Sequence, residues 1–186
     1  MTNDVLAVIK RRRSIRAYLP QQVEKEKVEA IVEAGLYAPN GGGDAWHFVV
    51  VRNADRLEQL NRLAKQYAST CGLPWLENLG KDEGFHSVYH APTVILVSSD
   101  PNSYTAEADT SAATENILLA AESLDVGSCW GYFVTQAFQT EEGKTIAKEM
   151  GIPDGHRVYT SVMLGYKTEE TPPATERKPN LITYVE

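Results

Sequence analysis

The sequence predicts a single domain built on a central sheet covered by helices on both faces, and three observations carry that reading. A chain of 186 residues suits one well-buried core and is short for two. An apolar fraction of 42% with 23% charged residues matches ordinary globular chains, and no tract is biased enough to be disordered or repeated. Segments with strand-like composition alternate with segments of helical period, which favours a sheet sandwiched between helices.

The elements follow in order. Asn3 caps a short helix carrying Val5, Leu6, Val8 and Ile9, which runs into Lys10, Arg11, Arg12 and Arg13. After Pro20, the residues Val28, Ile31, Val32 and Leu36 share a helical face that ends near Gly35 and Pro39. Residues 46–52 (WHFVVVR) are aromatic and β-branched and predict a buried strand. Leu57, Leu60, Leu63, Ala64 and Tyr67 mark a third amphipathic helix. Residues 72–90, broken by Pro74, Gly80 and Gly84, predict a surface excursion that could act as a lid over a site. Residues 93–99 predict a strand and 109–124 a long alanine-rich helix. Residues 128–133 predict a short strand, 140–150 a helix and 158–165 a strand. The proline-rich tail ends in a candidate edge strand at 181–185.

Composition excludes several functions. The net charge of −7 argues against a nucleic-acid surface and leaves room only for a local positive site. No segment approaches the apolar length needed to cross a bilayer, and residues 1–14 lack a signal-peptide core, so no membrane partner is expected. Two cysteines, Cys71 and Cys129, indicate no disulfide framework, and reduced cytoplasmic thiols are the default expectation. The four histidines fit no standard zinc spacing, so no metal is expected. No G-x-G-x-x-G follows a strand and no P-loop motif occurs, which argues against both common nucleotide-binding folds.

Five constellations could carry chemistry. Arg12, Arg13, Ser14 and Arg16 combine paired guanidiniums with a hydroxyl and suit a phosphate clamp, although basic residues at a helix C-terminus also simply complement its dipole. Gly41, Gly42 and Gly43, following Pro39 and Asn40, allow backbone N–H groups to approach a ligand or merely form a flexible connector. Asn116 sits on an apolar helical face and serves as a structural tie or a site contact. Gly127 and Gly131 flank Ser128, Cys129 and Trp130 and permit close approach of a planar ligand. Cys129 lacks the base of a thiol catalyst and reads as a small buried hydrophobe. Arg177 and Lys178 in the tail are solvated charge or the completion of a phosphate site.

The order of these signals is more distinctive than any one of them. RRSIR at 12–16, APNGGGDAWHF at 38–48, APTVIL at 91–96, DTSAATENILLAA at 109–121, GSCWG at 127–131 and MLGY at 163–166 together resemble the FMN-dependent nitroreductase family over nearly the whole chain. The resemblance implies one domain over residues 1–186 with an α+β fold. That fold is a three-layer α/β/α sandwich with a mainly antiparallel central sheet, in an intertwined homodimer that buries FMN at its interface. It also implies that Arg12 and Ser14 hold the FMN phosphate and ribityl chain with Arg13 beside them, and that Arg16 faces the flavin pyrimidine edge. Arg177 would reach the phosphate, and Pro39, Asn40 and Gly41 would come from the partner subunit. Cys129, Trp130 and Gly131 lie in the segment whose backbone approaches flavin N5. Family members commonly carry N-x-Q-P-W before the strand; here Gly43, Asp44 and Ala45 precede Trp46, one residue shorter, which alters the flavin-ring contacts expected of Gly43 and Asp44.

The activity implied is ping-pong hydride transfer from NADH or NADPH, through FMN, to a small-molecule electron acceptor such as a nitroaromatic or a quinone. No acid–base side chain is obligatory, and Arg16 is expected to act as an electrostatic stabiliser. The alternatives are another flavin reaction on the same fold, such as dehalogenation or heterocycle oxidation, and an FMN-binding or sensor protein that does not turn over.

Overall fold

The computed structural model describes residues 3–43, 45–168 and 171–186. Four strands form one sheet: β1 (Trp46–Val51), β2 (Thr93–Ser99), β3 (Gly127–Gly131) and β4 (Arg157–Gly165). Their order is β1-β2-β4-β3 and every pairing is antiparallel. The helices are α1 (Asp4–Arg11), α2 (Lys25–Leu36), α3 (Ala54–Ala68), α4 (Pro74–Lys81), α5 (Ala106–Ser123) and α6 (Glu141–Glu149), with a 3₁₀ helix at Phe133–Gln139.

Alternation along the central strands builds two cores. Successive side chains of a strand point to opposite faces. Val94 and Leu96 accordingly enter one apolar cluster, with α3, α4, α6 and the 3₁₀ helix, while Ile95 and Val97 enter the other, with α2 and α5. In β4, Met163 joins the first cluster, and Val162 and Leu164 the second. All seven are buried, and fully burying a side chain of this size contributes about 1.5–3 kcal/mol. The result is a three-layer α+β sandwich.

The helix ends follow their caps. Asn3 accepts from Leu6 N–H (2.9 Å), Asn53 from Arg56 N–H (2.8 Å) and Thr140 from Gly143 N–H (2.9 Å). Pro74 opens α4, where its missing N–H costs nothing.

Residues 72–90 contain α4, with Leu76, Gly80 and Val88 buried and Leu73 and Trp75 exposed. Two expectations need correction. Phe133 begins the 3₁₀ helix rather than ending a strand. Residues 181–185 form no strand and lie exposed, because a β-branched run makes a strand only where a sheet edge is within reach.

Candidate functional site

Helix α1 ends at Arg11, and Arg12 already has extended dihedrals (φ −51°, ψ 132°). Arg12 and Arg16 are therefore not placed on a common helical face. Instead, the chain from Arg12 runs extended beside the free edge of β3. Ser14 bridges Ser128 in parallel, and Ile15 N–H donates to the Ser128 carbonyl at 2.9 Å. Side chains of an extended segment alternate, so the buried Ile15 faces the core while Arg12, Ser14 and Arg16 share the other side.

Burial pushes the Cys129 thiol up from its ordinary value, and Arg16, Ser14 and Arg12 pull it the other way. Cys129 is a buried core residue and both cysteines are free. Arg13 turns back instead, donating to the carbonyls of Lys10 (2.7 Å) and Arg12 (2.6 Å), which satisfies the end of α1 and leaves its Nε buried without a partner.

Arg16 is exposed and makes no ion pair among the described residues; its contact is the ring of Tyr89, 5.7 Å from the guanidinium carbon. Burial alone would lower its pKa, but Cys129, Tyr89 and Tyr18 outweigh that and leave it raised. Arg12 has its ion-pair contact, with Glu115, at the long distance of 4.0 Å. Two guanidiniums without close carboxylates, beside a hydroxyl, fit a phosphate-bearing anion such as FMN.

Next to them, Trp130 is 38% exposed and Gly131 is buried. A Cβ at Gly131 would stand 2.2 Å from Met163 Cε and 2.7 Å from Ser161 Oγ, so any larger residue would have to displace the Met163 side chain. Ser161 also donates to the Gly131 carbonyl (2.8 Å), which holds the strand end that borders the site.

The glycine loop lies elsewhere. Gly42 N–H is held by the Asn40 side chain (2.8 Å) and Gly41 N–H by Asp109 of α5 (3.1 Å). Gly42 and Gly43 have φ of +103° and +89°, the region that glycine tolerates. This loop, with exposed Pro39, Asn40 and Gly41, leads into β1, whereas Arg12–Arg16 flank β3. Four strands spaced about 4.8 Å apart separate those edges by about 14 Å. Asp44 lies outside the described residues. Arg177 is exposed in the C-terminal tail. Asn116 donates to the Ala34 carbonyl (3.1 Å), tying α5 to α2.

Among the described residues, Glu58, His86 and His90 bring metal-ligating atoms within 4.8 Å of one another. His86 Nδ1 accepts from the backbone N–H groups of Val88 and His90, so its proton sits on Nε2 and is donated to Glu58 (2.9 Å). A metal at Nε2 would force that proton onto Nδ1, against two N–H donors. The cluster is closed by a hydrogen bond. Tyr89 and this cluster carry no local sequence signal, since their partners lie far away in the chain.

A three-layer α+β sandwich with Arg12 and Arg16 along one sheet edge suits an anion-binding site. The model of the nitroreductase family matches residues 9–166, and the chain belongs to that family. It is 36% identical over 174 residues to an Archaeoglobus fulgidus protein named as a proposed NADH dehydrogenase/NAD(P)H nitroreductase, covering 90% of this chain and 87% of that one. A crystal structure of a nitroreductase with bound FMN from Bacteroides fragilis is 38% identical, with a TM-score of 0.93 over 100% of both chains. A second with bound FMN, from Desulfitobacterium hafniense, is 30% identical, with a TM-score of 0.91 over 100% of both. Among the described residues, no helix is long and apolar enough to cross a membrane.

Proposed function

We propose that this chain is an FMN-dependent NAD(P)H oxidoreductase acting on a small-molecule acceptor. The observation that carries this is the extended Arg12–Arg16 segment on the β3 edge, which presents two arginines without close carboxylates in a chain whose relatives bind FMN. When bound, FMN supplies the redox chemistry, taking a hydride from NADH or NADPH and passing it to a nitroaromatic, quinone or similar acceptor in a ping-pong cycle.

The chain's own residues bind, orient and stabilise. Arg12 and Ser14 hold the phosphate and ribityl chain, and Arg177 of the tail closes on the phosphate. Arg16 places positive charge at the pyrimidine edge, where it favours negative charge that develops there. Trp130 and Gly131 bring backbone close to the flavin ring.

The working unit in this proposal is a homodimer. Apolar side chains of α1 (Val5, Ile9), of Tyr37 and of the tail (Leu181, Ile182) are exposed in one chain, which supports a further surface covering them. The separation of the glycine loop from Arg12–Arg16 supports its service to the partner's site. Free thiols, one of them buried, suit a reducing cytoplasm.

An absorbance spectrum of the purified protein, repeated after anaerobic addition of NADH or NADPH, tests this. Flavin absorbance that bleaches is the expected result. Bound flavin that does not bleach would overturn the reductase reading, and no flavin after incubation with FMN would overturn the cofactor too.

A further inference from the structure

One face of α3 clamps the segment between α4 and β2. Glu58, Asn61 and Lys65 are spaced three and four residues apart and so share that face. Asn61 accepts from Ser87 N–H (2.8 Å), and Lys65 donates to the carbonyls of Asp82 (2.6 Å) and Phe85 (2.8 Å). Glu58 accepts from His86 Nε2 (2.9 Å), and His86 Nδ1 accepts from the N–H groups of Val88 (3.3 Å) and His90 (3.2 Å).

These ties enforce a backbone that side-chain-bearing residues rarely adopt. Tyr89 and His90 stand in succession at φ +52° and +54°. Such conformations persist where the surroundings over-determine them. Here the turn delivers the Tyr89 ring to Arg16, with 5.7 Å between guanidinium carbon and ring centroid, within cation–π reach. The ring packs on Phe85 (6.1 Å, 85°), which packs on the buried Phe133 (4.8 Å, 72°).

Arg16 needs such a support. It makes no ion pair among the described residues, and a guanidinium on a long flexible stem is oriented only by what it touches. We propose that Tyr89 is a positioning residue for Arg16, its ring fixing the guanidinium at the site while the α3 clamp fixes the ring. The link to flavin chemistry rests on the function proposed above; the link between Tyr89 and Arg16 does not.

The experiment has two readouts on the full chain as purified. In the first, NMR relaxation of the Arg16 Nε–H is compared in wild type, Tyr89→Phe, Tyr89→Leu and Asn61→Ala. Arg16 should be ordered in wild type and in the ring-retaining Phe variant, and mobile in the Leu variant and in Asn61→Ala, which loosens the clamp while leaving Tyr89 and Arg16 in place. Equal order in wild type and Tyr89→Leu overturns the proposal; should the Leu variant fail to fold, equal order in wild type and Asn61→Ala does so. In the second, FMN-loaded Tyr89→Leu should retain FMN within about threefold of the wild-type Kd and bleach with NADH about tenfold more slowly. An unchanged bleaching rate overturns the consequence for the flavin. A wild-type chain that takes up no FMN would sink the flavin reading, while the relaxation result would still decide the positioning role.

Discussion

Two buried hydroxyls pin α5 to the central strand β4, and they are not equivalent. Thr114 and Thr160 are both buried, with their oxygens 2.5 Å apart. Thr114 also bonds the Thr110 carbonyl at 2.7 Å. A carbonyl only accepts and a hydroxyl has one proton, so Thr114 spends its proton on Thr110 and Thr160 must donate to Thr114. Thr114→Val therefore strands a buried donor on Thr160, costing about 1–3 kcal/mol. Thr160→Val removes the donor and leaves the Thr114–Thr110 bond intact, costing about 0.5–1.5 kcal/mol. The double variant removes both partners and should recover part of the first loss, because an apolar pair of the same shape can be nearly neutral. For a chain of this length each kcal/mol moves Tm by about 2–4 °C, so thermal melts of the three variants resolve the order. A double-mutant cycle gives the coupling. The reasoning fails if Thr160→Val costs more than Thr114→Val, or if the double loss equals the sum of the single ones.

Three further outcomes are expected. Arg16→Ala should slow bleaching of bound FMN by NAD(P)H more than it weakens FMN binding, and stopped-flow rates equal to wild type would remove its proposed role. Arg177→Ala should weaken FMN retention by about 1.5–3 kcal/mol, the worth of a charged hydrogen bond, read by equilibrium dialysis; wild-type retention would place the tail outside the site. Burial holds His86 below the usual histidine value against the opposing pull of Glu58. The unfolded chain protonates near pH 6.5, so it binds more protons than the fold just below that pH. Stability should thus be full above about pH 6.5 and drain as pH falls from there, a slope that His156, shifted down by burial as well, shares. His86→Gln should flatten the slope in calorimetric melts between pH 7.5 and 5.5, and an unchanged slope would count against this account.

What local pattern could encode, the sequence by itself determined. The β-branched runs at 46–51 and 93–99, the caps Asn3 and Thr140 and the apolar stripe of α3 each act over a few residues, and each forms the element its period dictates. The ordered set of motifs also determined the family. Tertiary structure decided what depends on residues distant in sequence. Arg12, Ser14 and Arg16 are aligned by strand β3, more than a hundred residues away, and not by continuation of α1. The segment 72–90 looked broken because proline and glycine interrupt its period, yet α3 supplies the partners that fold it into the core. Residues 181–185 show the converse: strand composition alone leaves them exposed and unpaired with any strand of the sheet. Tyr89 carries no local sign of its role, because the side chain it supports lies 73 positions away and only the packing of α3 against the turn brings them together.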